Sequence, residues 1–296
     1  MDIKKSGMIA IVGRPNVGKS TLINKFAGEK IAIVSDKPQT TRNRIFGIIN
    51  REDTQYVFLD TPGIHVPKSH LGEYMVKVAG DSISEVDAVL VMVAPVANIG
   101  EIEKSIIERI SANKVPAILL INKIDTVEKT DIFAVIEAYS KAYDFEAIIP
   151  VSAQKGDGID HIYDELDKFI PEGPALFPEG MVSDIPEKQM VSEIIREKLL
   201  RLLNHEIPHG TAVEIERFTE RDNGIIDVVA TIVCERDSHK GIIIGKKGAM
   251  LKKIGESARR DIERFMGTKV YLETWVKVKE NWRDNDVLIK NFGYEA

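Results

Sequence analysis

The chain has 296 residues, a length that suggests about two domains of ordinary size, and hydrophobic residues make up 44% of it. Its formal net charge of −6 argues against a general nucleic-acid binder, because such proteins carry excess positive charge. A single cysteine, Cys234, excludes an internal disulfide and fits a reducing compartment.

Neither export nor membrane insertion is predicted from the sequence. The N-terminus runs into the first apolar strand without the long apolar region of a signal peptide. The longest strongly apolar run, residues 88–97, is too short to span a bilayer. We therefore expect the apolar segments in the cores of folded domains.

The first strong pattern along the chain is the phosphate-binding motif G-x-x-x-x-G-K-[ST] at residues 13–20. An apolar run at 8–12 predicts a buried strand before it, and residues 21–27 predict a helix after it. In this context, backbone N–H groups and the helix N-terminus hold phosphate oxygens, Lys19 reaches the β- and γ-phosphates, and the Ser20 hydroxyl binds Mg²⁺. The predicted phosphate-binding residues are Gly13, Arg14, Pro15, Asn16, Val17, Gly18, Lys19, Ser20 and Thr21.

Short apolar strands alternate with helical segments up to about residue 170. The predicted strands are 8–12, 42–49, 55–60, 88–93, 117–121 and 148–151. The predicted helices between them are 71–85, 101–112, 127–143 and 159–169. This alternation predicts an α/β domain with a mostly parallel sheet and helices on both faces, in which ligands bind at the carboxyl ends of the strands.

Asp60 ends one of these strands beside the phosphate loop. A carboxylate at that place can hold Mg²⁺ through water, and the Gly63 N–H can bond the γ-phosphate. Taken alone, the segment would be a Pro-Gly turn capped by Asp60, but its position next to the phosphate loop favours the nucleotide role. The residues of this segment are Asp60, Thr61, Pro62, Gly63 and Ile64.

The tetrapeptide Asn-Lys-Ile-Asp follows the predicted strand at 117–121. A carboxylate there accepts the adjacent N1–H and N2–H₂ donors of guanine, a pair that adenine lacks. We expect Asn122 to fix the loop and the Lys123 stem to cover the ring. As a lone tetrapeptide the signal is weak, but after two phosphate motifs it indicates guanine specificity. The predicted guanine-binding residues are Asn122, Lys123, Ile124, Asp125, Ser152 and Ala153.

In this order and spacing the motifs resemble those of the Ras-like GTPases. The resemblance places the first switch at 38–42, with Thr41 as the Mg²⁺-sensing hydroxyl and Thr40 as the alternative. It implies GTP and GDP as ligands and GTP hydrolysis as the activity. It also implies Mg²⁺ ligands at Ser20, Thr41 and Asp60, and catalytic contributions from Lys19, Thr41, Gly63 and Asn16.

Two positions bear on the rate of hydrolysis. Where Ras-type enzymes carry a water-orienting Gln, this sequence has Ile64, which predicts slow intrinsic hydrolysis. Asn16 resembles the loop Asn with which some translation-factor-related GTPases bind K⁺ near the β–γ bridge. In the alternative interpretation, Asn16 only shapes the loop.

Four prolines and two glycines fall within residues 171–186 and predict a linker between domains at 1–170 and 187–296. The alternative is one long structured loop inside a single domain. Residues 187–296 hold 20 basic and 19 acidic side chains, so the excess negative charge of the protein lies before them.

The second part predicts a different fold. A helix at 187–203, strands at 213–218 and 225–233, a helix at 249–265 and a strand at 269–278 are indicated. A G-x-x-G loop at 245–248 follows an apolar, strand-like run at 241–244.

This order matches the type II KH topology, in which the loop clamps about four nucleotides of single-stranded RNA. Seven basic residues and one acid lie between Lys240 and Arg260, a patch expected of RNA binding. The alternative is a turn with a solvated lysine cluster. The predicted RNA-binding residues are Lys240, Ile242, Ile243, Ile244, Gly245, Lys246, Lys247, Gly248, Leu251, Lys252 and Lys253.

From about residue 7 to about residue 290, the chain resembles the Era family, bacterial GTPases with a C-terminal KH domain. The signatures are GRPNVGKS, PQTTR, DTPGIH, NKID and GIIIGKKG. The resemblance implies a Ras-like α/β domain followed by an α+β KH domain. It implies binding of the 3′ end of small-subunit rRNA in the GTP state and a role in assembling the small ribosomal subunit. It also implies a cytoplasmic monomer with a peripheral membrane fraction. A rival hypothesis, favoured by Ile64, is an RNA-binding assembly factor that holds guanine nucleotide structurally and hardly turns over.

Overall fold

In the computed structural model, which describes residues 2–294, the apolar runs of the N-terminal part form one mainly parallel sheet. Its strands are β1 (Lys5–Val12), β2 (Ile45–Arg51), β3 (Thr54–Asp60), β4 (Ala88–Val93), β5 (Ala117–Ile121) and β6 (Ala147–Pro150). Their order is β2-β3-β1-β4-β5-β6; β2 and β3 pair antiparallel, and the other neighbours pair parallel. Every residue of β4 and β5 is buried, as expected for strands covered on both faces.

Helices alternate with these strands along the chain. They are α1 (Lys19–Ala27), α2 (His70–Asp81), α3 (Glu101–Asn113), α4 (Lys129–Ala142) and α5 (Ile159–Leu166). The predicted α/β architecture is thereby confirmed. The three nucleotide motifs directly follow β1, β3 and β5, which are parallel strands of one sheet, so the motifs share one edge.

Two units emerge from the contacts among residues. The first contains the chain up to Ala32, Thr41–Pro67 and Gly72–Asp184. The second contains Ile33–Thr40, Lys68–Leu71 and the chain from Ile185 on. The C-terminal boundary of the first unit thus falls after Asp184.

Residues 171–184, predicted as most of a linker, lie with the first unit. The side-chain oxygen of the fully buried Gln55 accepts hydrogen bonds from the N–H groups of Leu176, at 2.8 Å, and Phe177, at 2.9 Å. The prolines prevent a helix here, but they leave these N–H groups available for pairing. The segment is therefore hydrogen-bonded to the first unit near its middle, although most of its residues are exposed.

The second unit contains the predicted helices and strands around a small sheet, together with two helices that were not predicted. Its elements are α6 (Glu187–Leu202), β7 (Ala212–Glu220), β8 (Ile226–Cys234), α7 (Asp237–Ile244), α8 (Ala249–Met266), β9 (Val270–Val278) and α9 (Asp286–Asn291), of which α7 and α9 were not predicted. The strand order is β7-β8-β9, with β8 pairing antiparallel to β7 and parallel to β9. Apolar side chains of α6 and α8, such as Ile194 and Ile254, are fully buried in one core with the inner face of the sheet.

The run at 241–244 is the end of helix α7, so the prediction of a strand-like segment before the G-x-x-G loop was wrong. A four-residue apolar run has no periodicity that separates strand from helix. Burial now follows a helical spacing: Ile243 is fully buried and His239, four residues earlier, is half-buried, whereas the two residues directly before Ile243 are exposed. Asp237 in the first turn favours the helix because a negative charge is stabilised at a helix N-terminus.

Candidate nucleotide and RNA sites

The phosphate loop runs from the end of β1 into α1 and is held by close backbone packing. Gly13 has no room for a side chain, since a Cβ there would lie 2.3 Å from the Met92 carbonyl oxygen. The buried Lys19 ammonium donates to the carbonyl oxygens of Gly13, at 3.2 Å, and Arg14, at 3.0 Å. Burial lowers the pKa of Lys19 to about 8, against the opposing effect of Asp60. A cation kept inside a loop of backbone N–H groups is suited to anionic phosphate oxygens.

Three oxygens cluster beside this loop. The Ser20 hydroxyl lies 2.8 Å from both the Asp60 carboxylate and the Thr41 hydroxyl, and the Thr41 hydroxyl lies 3.0 Å from the same Asp60 oxygen. Thr40 instead donates its hydroxyl to the Lys37 carbonyl at 2.7 Å. The structure thus brings Thr41, rather than Thr40, to Ser20 and Asp60.

The cluster fits a magnesium ion by its donor set. Mg²⁺ prefers oxygen ligands in octahedral geometry at about 2.1 Å, which places neighbouring ligands about 3 Å apart. Asp60 is fully buried, and its second oxygen, Oδ1, has no hydrogen-bond partner among residues 2–294. Burial raises the pKa of Asp60, an effect that Lys19 opposes first and the two hydroxyls oppose next. A divalent cation would offset that burial and satisfy the unpaired oxygen.

The segment after Asp60 lies against the phosphate loop. A Cβ on Gly63 would be 2.6 Å from the Pro15 nitrogen, so only glycine allows this approach. Ile64 is buried, and its N–H donates to the Gly13 carbonyl at 3.1 Å. The sequence prediction did not single out the next residue, His65. Its Nδ1 lies 2.8 Å from the Gly63 oxygen, and its buried Nε2 has no hydrogen-bond partner in the described part of the chain.

The guanine motif is assembled by Asn122. Its amide nitrogen donates to the Val17 carbonyl at 2.7 Å, and its oxygen accepts from the Ala153 N–H at 2.9 Å. Asp125 is exposed, and one of its oxygens accepts from the Ser152 hydroxyl at 2.7 Å, which lowers the pKa of Asp125. The site therefore presents an ionised carboxylate on a loop fixed to the phosphate loop, and such a carboxylate can accept two adjacent N–H donors.

Several residues of the motifs have mainly structural contacts. The buried Thr61 hydroxyl donates to the Ile11 carbonyl at 2.8 Å, which anchors the loop after β3. The Arg14 side chain forms an ion pair with Glu103 of α3. Only the backbone of Arg14 is therefore available for the nucleotide binding that was predicted for this residue. Other predicted nucleotide-site residues that pack as buried or half-buried groups are Pro15, Val17, Thr21, Pro62 and Ile124.

The G-x-x-G loop of the second unit is shaped by left-handed backbone. Gly245, Lys247 and Gly248 have φ values of 72°, 51° and 79°. A Cβ on Gly245 would lie 2.7 Å from the Met250 Cβ, so glycine is required there. The side chains of Lys246 and Lys247 are exposed at the tip.

A groove of about 370 Å³ begins at this loop and continues between α8 and β9. Its lining residues are Gly248, Leu251, Lys252, Gly255, Glu256, Arg259, Leu272 and Thr274. Its apolar floor and charged rim suit stacked bases with a phosphate backbone alongside.

Known proteins resemble both parts of the chain. A family model described as 50S ribosome-binding GTPase matches residues 8–123, and a KH domain model matches residues 206–283. GTPase Era of Ruminiclostridium cellulolyticum is 53% identical over 99% of this chain and 98% of its own length. GTPase Era of Clostridioides difficile is also 53% identical, over 98% of each chain.

The chain belongs to the Era family of GTPases. It is therefore a GTPase, and the predicted combination of a Ras-like domain with a KH domain is confirmed. A structure of Era in complex with MgGDPNP and nucleotides 1506–1542 of 16S ribosomal RNA matches with a TM-score of 0.95, at 39% identity, over 99% of this chain and 100% of that one. A tyrosine-to-alanine variant of Aquifex aeolicus Era, bound to GDP.AlF4-, matches with a TM-score of 0.94 over the same shares, also at 39% identity.

Within this Era-family chain, one predicted RNA-binding residue lies away from the groove of the second unit. Ile243 packs in the core, so its side chain does not line that groove. The lining residues that sequence reasoning missed are Gly255, Glu256, Arg259, Leu272 and Thr274. Gly255 and Arg259 continue the helical spacing of Leu251. Glu256 lies four residues after Lys252, and both signals were present in the sequence. The two residues on β9 become neighbours only through the fold.

Proposed function

We propose that this Era-family GTPase is a GTP-controlled switch that binds the 3′ end of small-subunit rRNA and acts in assembly of the small ribosomal subunit. The observation that carries the proposal is one chain that joins the cluster of Ser20, Thr41 and Asp60 to a groove under a G-x-x-G loop. The relative described with 16S ribosomal RNA supports the same RNA partner here. The family model described as 50S ribosome-binding GTPase matches residues 8–123, which lie outside the proposed RNA site. The choice of the small ribosomal subunit therefore rests on the KH unit and on the relative described with 16S ribosomal RNA.

The proposed nucleotide site assigns each group a task. Lys19 contacts the β- and γ-phosphates, the Gly63 N–H contacts the γ-phosphate, and Asp125 reads guanine. Bound Mg²⁺ neutralises charge that develops on the phosphate oxygens during hydrolysis. Ile64 has no polar group to orient water, so we infer a slow intrinsic rate. The residues proposed to hold Mg²⁺ are Ser20, Thr41 and Asp60.

K⁺ is proposed as a second cation, held by the exposed Asn16 of the phosphate loop. Asn16 has a φ of 64°, and its carbonyl accepts from Lys123 at 2.7 Å, so the loop backbone is fixed at this point. We expect hydrolysis to slow about tenfold when NaCl replaces KCl, because Na⁺ is smaller and more strongly hydrated. Asn16→Ala should abolish the difference between the two salts, as measured by phosphate release. Equal wild-type rates in both salts would leave Asn16 as a loop-shaping residue.

RNA and nucleotide binding should be coupled in the intact chain. Loss of the γ-phosphate rearranges switch segments in GTPases, and here Ile33–Thr40 belongs to the same unit as the groove. We expect RNA to bind about tenfold more tightly with a GTP analogue than with GDP, and RNA to raise the preference for the analogue by the same factor. Titration of a labelled 16S 3′-end oligonucleotide at fixed salt measures the first factor, and nucleotide titrations with and without saturating oligonucleotide measure the second. Identical affinities in the two states would contradict the switch.

RNA contacts are assigned to the predicted residues other than Ile243, together with the groove residues that the sequence missed. The proposed domain bounds of 1–170 and 187–296 follow from the Pro-rich segment between them, and the contacts among residues extend the first unit to Asp184. A monomeric state and a cytoplasmic location with a peripheral membrane fraction follow the family resemblance. Within residues 2–294, no helix combines the length and the apolar character that crossing a bilayer requires.

A further inference from the structure

The segment Ile33–Thr40, which directly precedes Thr41, is held by charged side chains of α6 within the second unit. The Glu197 carboxylate accepts the Val34 N–H at 3.0 Å, and Arg201 donates to the Val34 carbonyl at 2.8 Å. Arg196 donates to the carbonyl oxygen of Gln39 at 3.1 Å and also to that of Thr40. We call Arg196, Glu197 and Arg201 the α6 clamp.

Two of the three members of the α6 clamp, Arg196 and Glu197, are unusual in their burial. The side chains of Arg196 and Glu197 are 1% and 0% exposed, and Lys198, which pairs with Glu197 at 2.7 Å, is 4% exposed. Lys198 also pairs with Asp261 of α8. Buried charges are costly and contribute little net stability even when paired, so a role in fixing one conformation is the better account of them. What they fix here is the main chain of Ile33–Thr40.

The main chain at the end of this segment has an unfavourable conformation, which other residues must stabilise. Gln39 has a φ of 59°, a left-handed conformation that a residue other than glycine seldom adopts. Arg196 binds the Gln39 carbonyl and the next one, so its planar guanidinium fixes the two peptide units before Thr41. Lysine offers no such paired geometry.

We infer that Arg196 is a positioning residue for GTP hydrolysis: through the α6 clamp it sets the place of the Thr41 hydroxyl beside Ser20 and Asp60. The inference rests on the proposed Mg²⁺–GTP role of Thr41. Helix α6 of the KH unit thus binds the segment Ile33–Thr40 directly. The Thr41 hydroxyl, which follows that segment, is needed with GTP and not with GDP. The presence or absence of the γ-phosphate and the contacts of the second unit therefore act on the same stretch of main chain, the residues that lead into Thr41.

The test is the ratio of GTP-analogue affinity to GDP affinity, measured with Mg²⁺ on the full chain. We expect Arg196→Ala to lower analogue affinity about tenfold and to leave GDP affinity unchanged, because the Thr41 hydroxyl is needed only with the γ-phosphate. Arg201→Ala should lower the ratio about threefold. In a Thr41→Ala background, which lowers the ratio by itself, Arg196→Ala should add less than about twofold, since both act through one hydroxyl.

The matched control is Lys188→Ala, an exposed position on the same helix, which should leave the ratio unchanged. Arg201 is half-exposed, so its variant keeps the test valid if Arg196→Ala fails to fold. An unchanged ratio in both clamp variants, an equal loss of GDP affinity, or a full Arg196 effect without the Thr41 hydroxyl would overturn the inference. A ratio that does not depend on Thr41 would instead contradict the proposed function.

Discussion

Asp125→Asn should weaken GTP binding by about 10³-fold or more and admit xanthosine triphosphate. The Asp125 carboxylate is held by the Ser152 hydroxyl, and the adjoining Asn122 ties the loop to Val17, so the acceptor is already in position before guanine arrives. An amide in its place leaves guanine donors unpaired, and mismatches of this kind discriminate by about 10⁴. Xanthine carries an oxygen where guanine has its amino group, and the new amide N–H matches it. Titration with both nucleotides in the presence of Mg²⁺ measures the exchange.

Asp131→Asn supplies the control for that experiment. Asp131 is also an exposed acid, in the first turn of α4, and the substitution removes the same charge a short distance along the chain. We expect it to leave both nucleotide affinities unchanged. If Asp125→Asn kept full GTP affinity, guanine would have to be recognised elsewhere.

The nucleotide motifs were predictable because their chemistry is local to the ends of strands. A parallel sheet places the carboxyl ends of β1, β3 and β5 at one edge, so spacing along the chain was enough to bring Lys19, Asp60 and Asn122 together. Thr41 was harder, since two adjacent threonines fit the motif equally well. Only the observed contacts, Thr41 with Asp60 and Thr40 with Lys37, distinguish them.

The features that the sequence did not reveal depend on partners distant along the chain. Arg14 sits inside a phosphate motif, yet its side chain pairs with Glu103 of α3. The Pro-rich segment packs on the first unit because one buried side chain, Gln55, accepts from two of its N–H groups. The α6 clamp reads in the sequence as charged positions of an amphipathic helix, and only the fold shows that Arg196 and Glu197 are buried against main chain.

Replacing Lys246 and Lys247 together by Asp should lower affinity for a 16S 3′-end oligonucleotide by about 100-fold. Both side chains are exposed at the tip of the G-x-x-G loop, where the glycines allow a phosphodiester to approach the backbone. Each lost phosphate contact removes about 0.7 from the slope of log affinity against log salt for single strands, so the slope should fall by about 1.4. GTP affinity should stay unchanged, because both lysines lie outside the nucleotide site.

The control variant must change the charge by the same amount at positions outside the groove. Lys188→Asp with Lys290→Asp meets this need, since both lysines are exposed, belong to the second unit and lie outside the groove lining. We expect that pair to weaken RNA binding only slightly, through the loss of long-range attraction, which salt screens within about 10 Å at 0.1 M. If the two double variants lost the same affinity and showed the same salt slope, the effect would be one of net charge. A loss confined to Lys246 and Lys247 would instead place the phosphates at the loop, because only direct contacts depend on which lysines are changed.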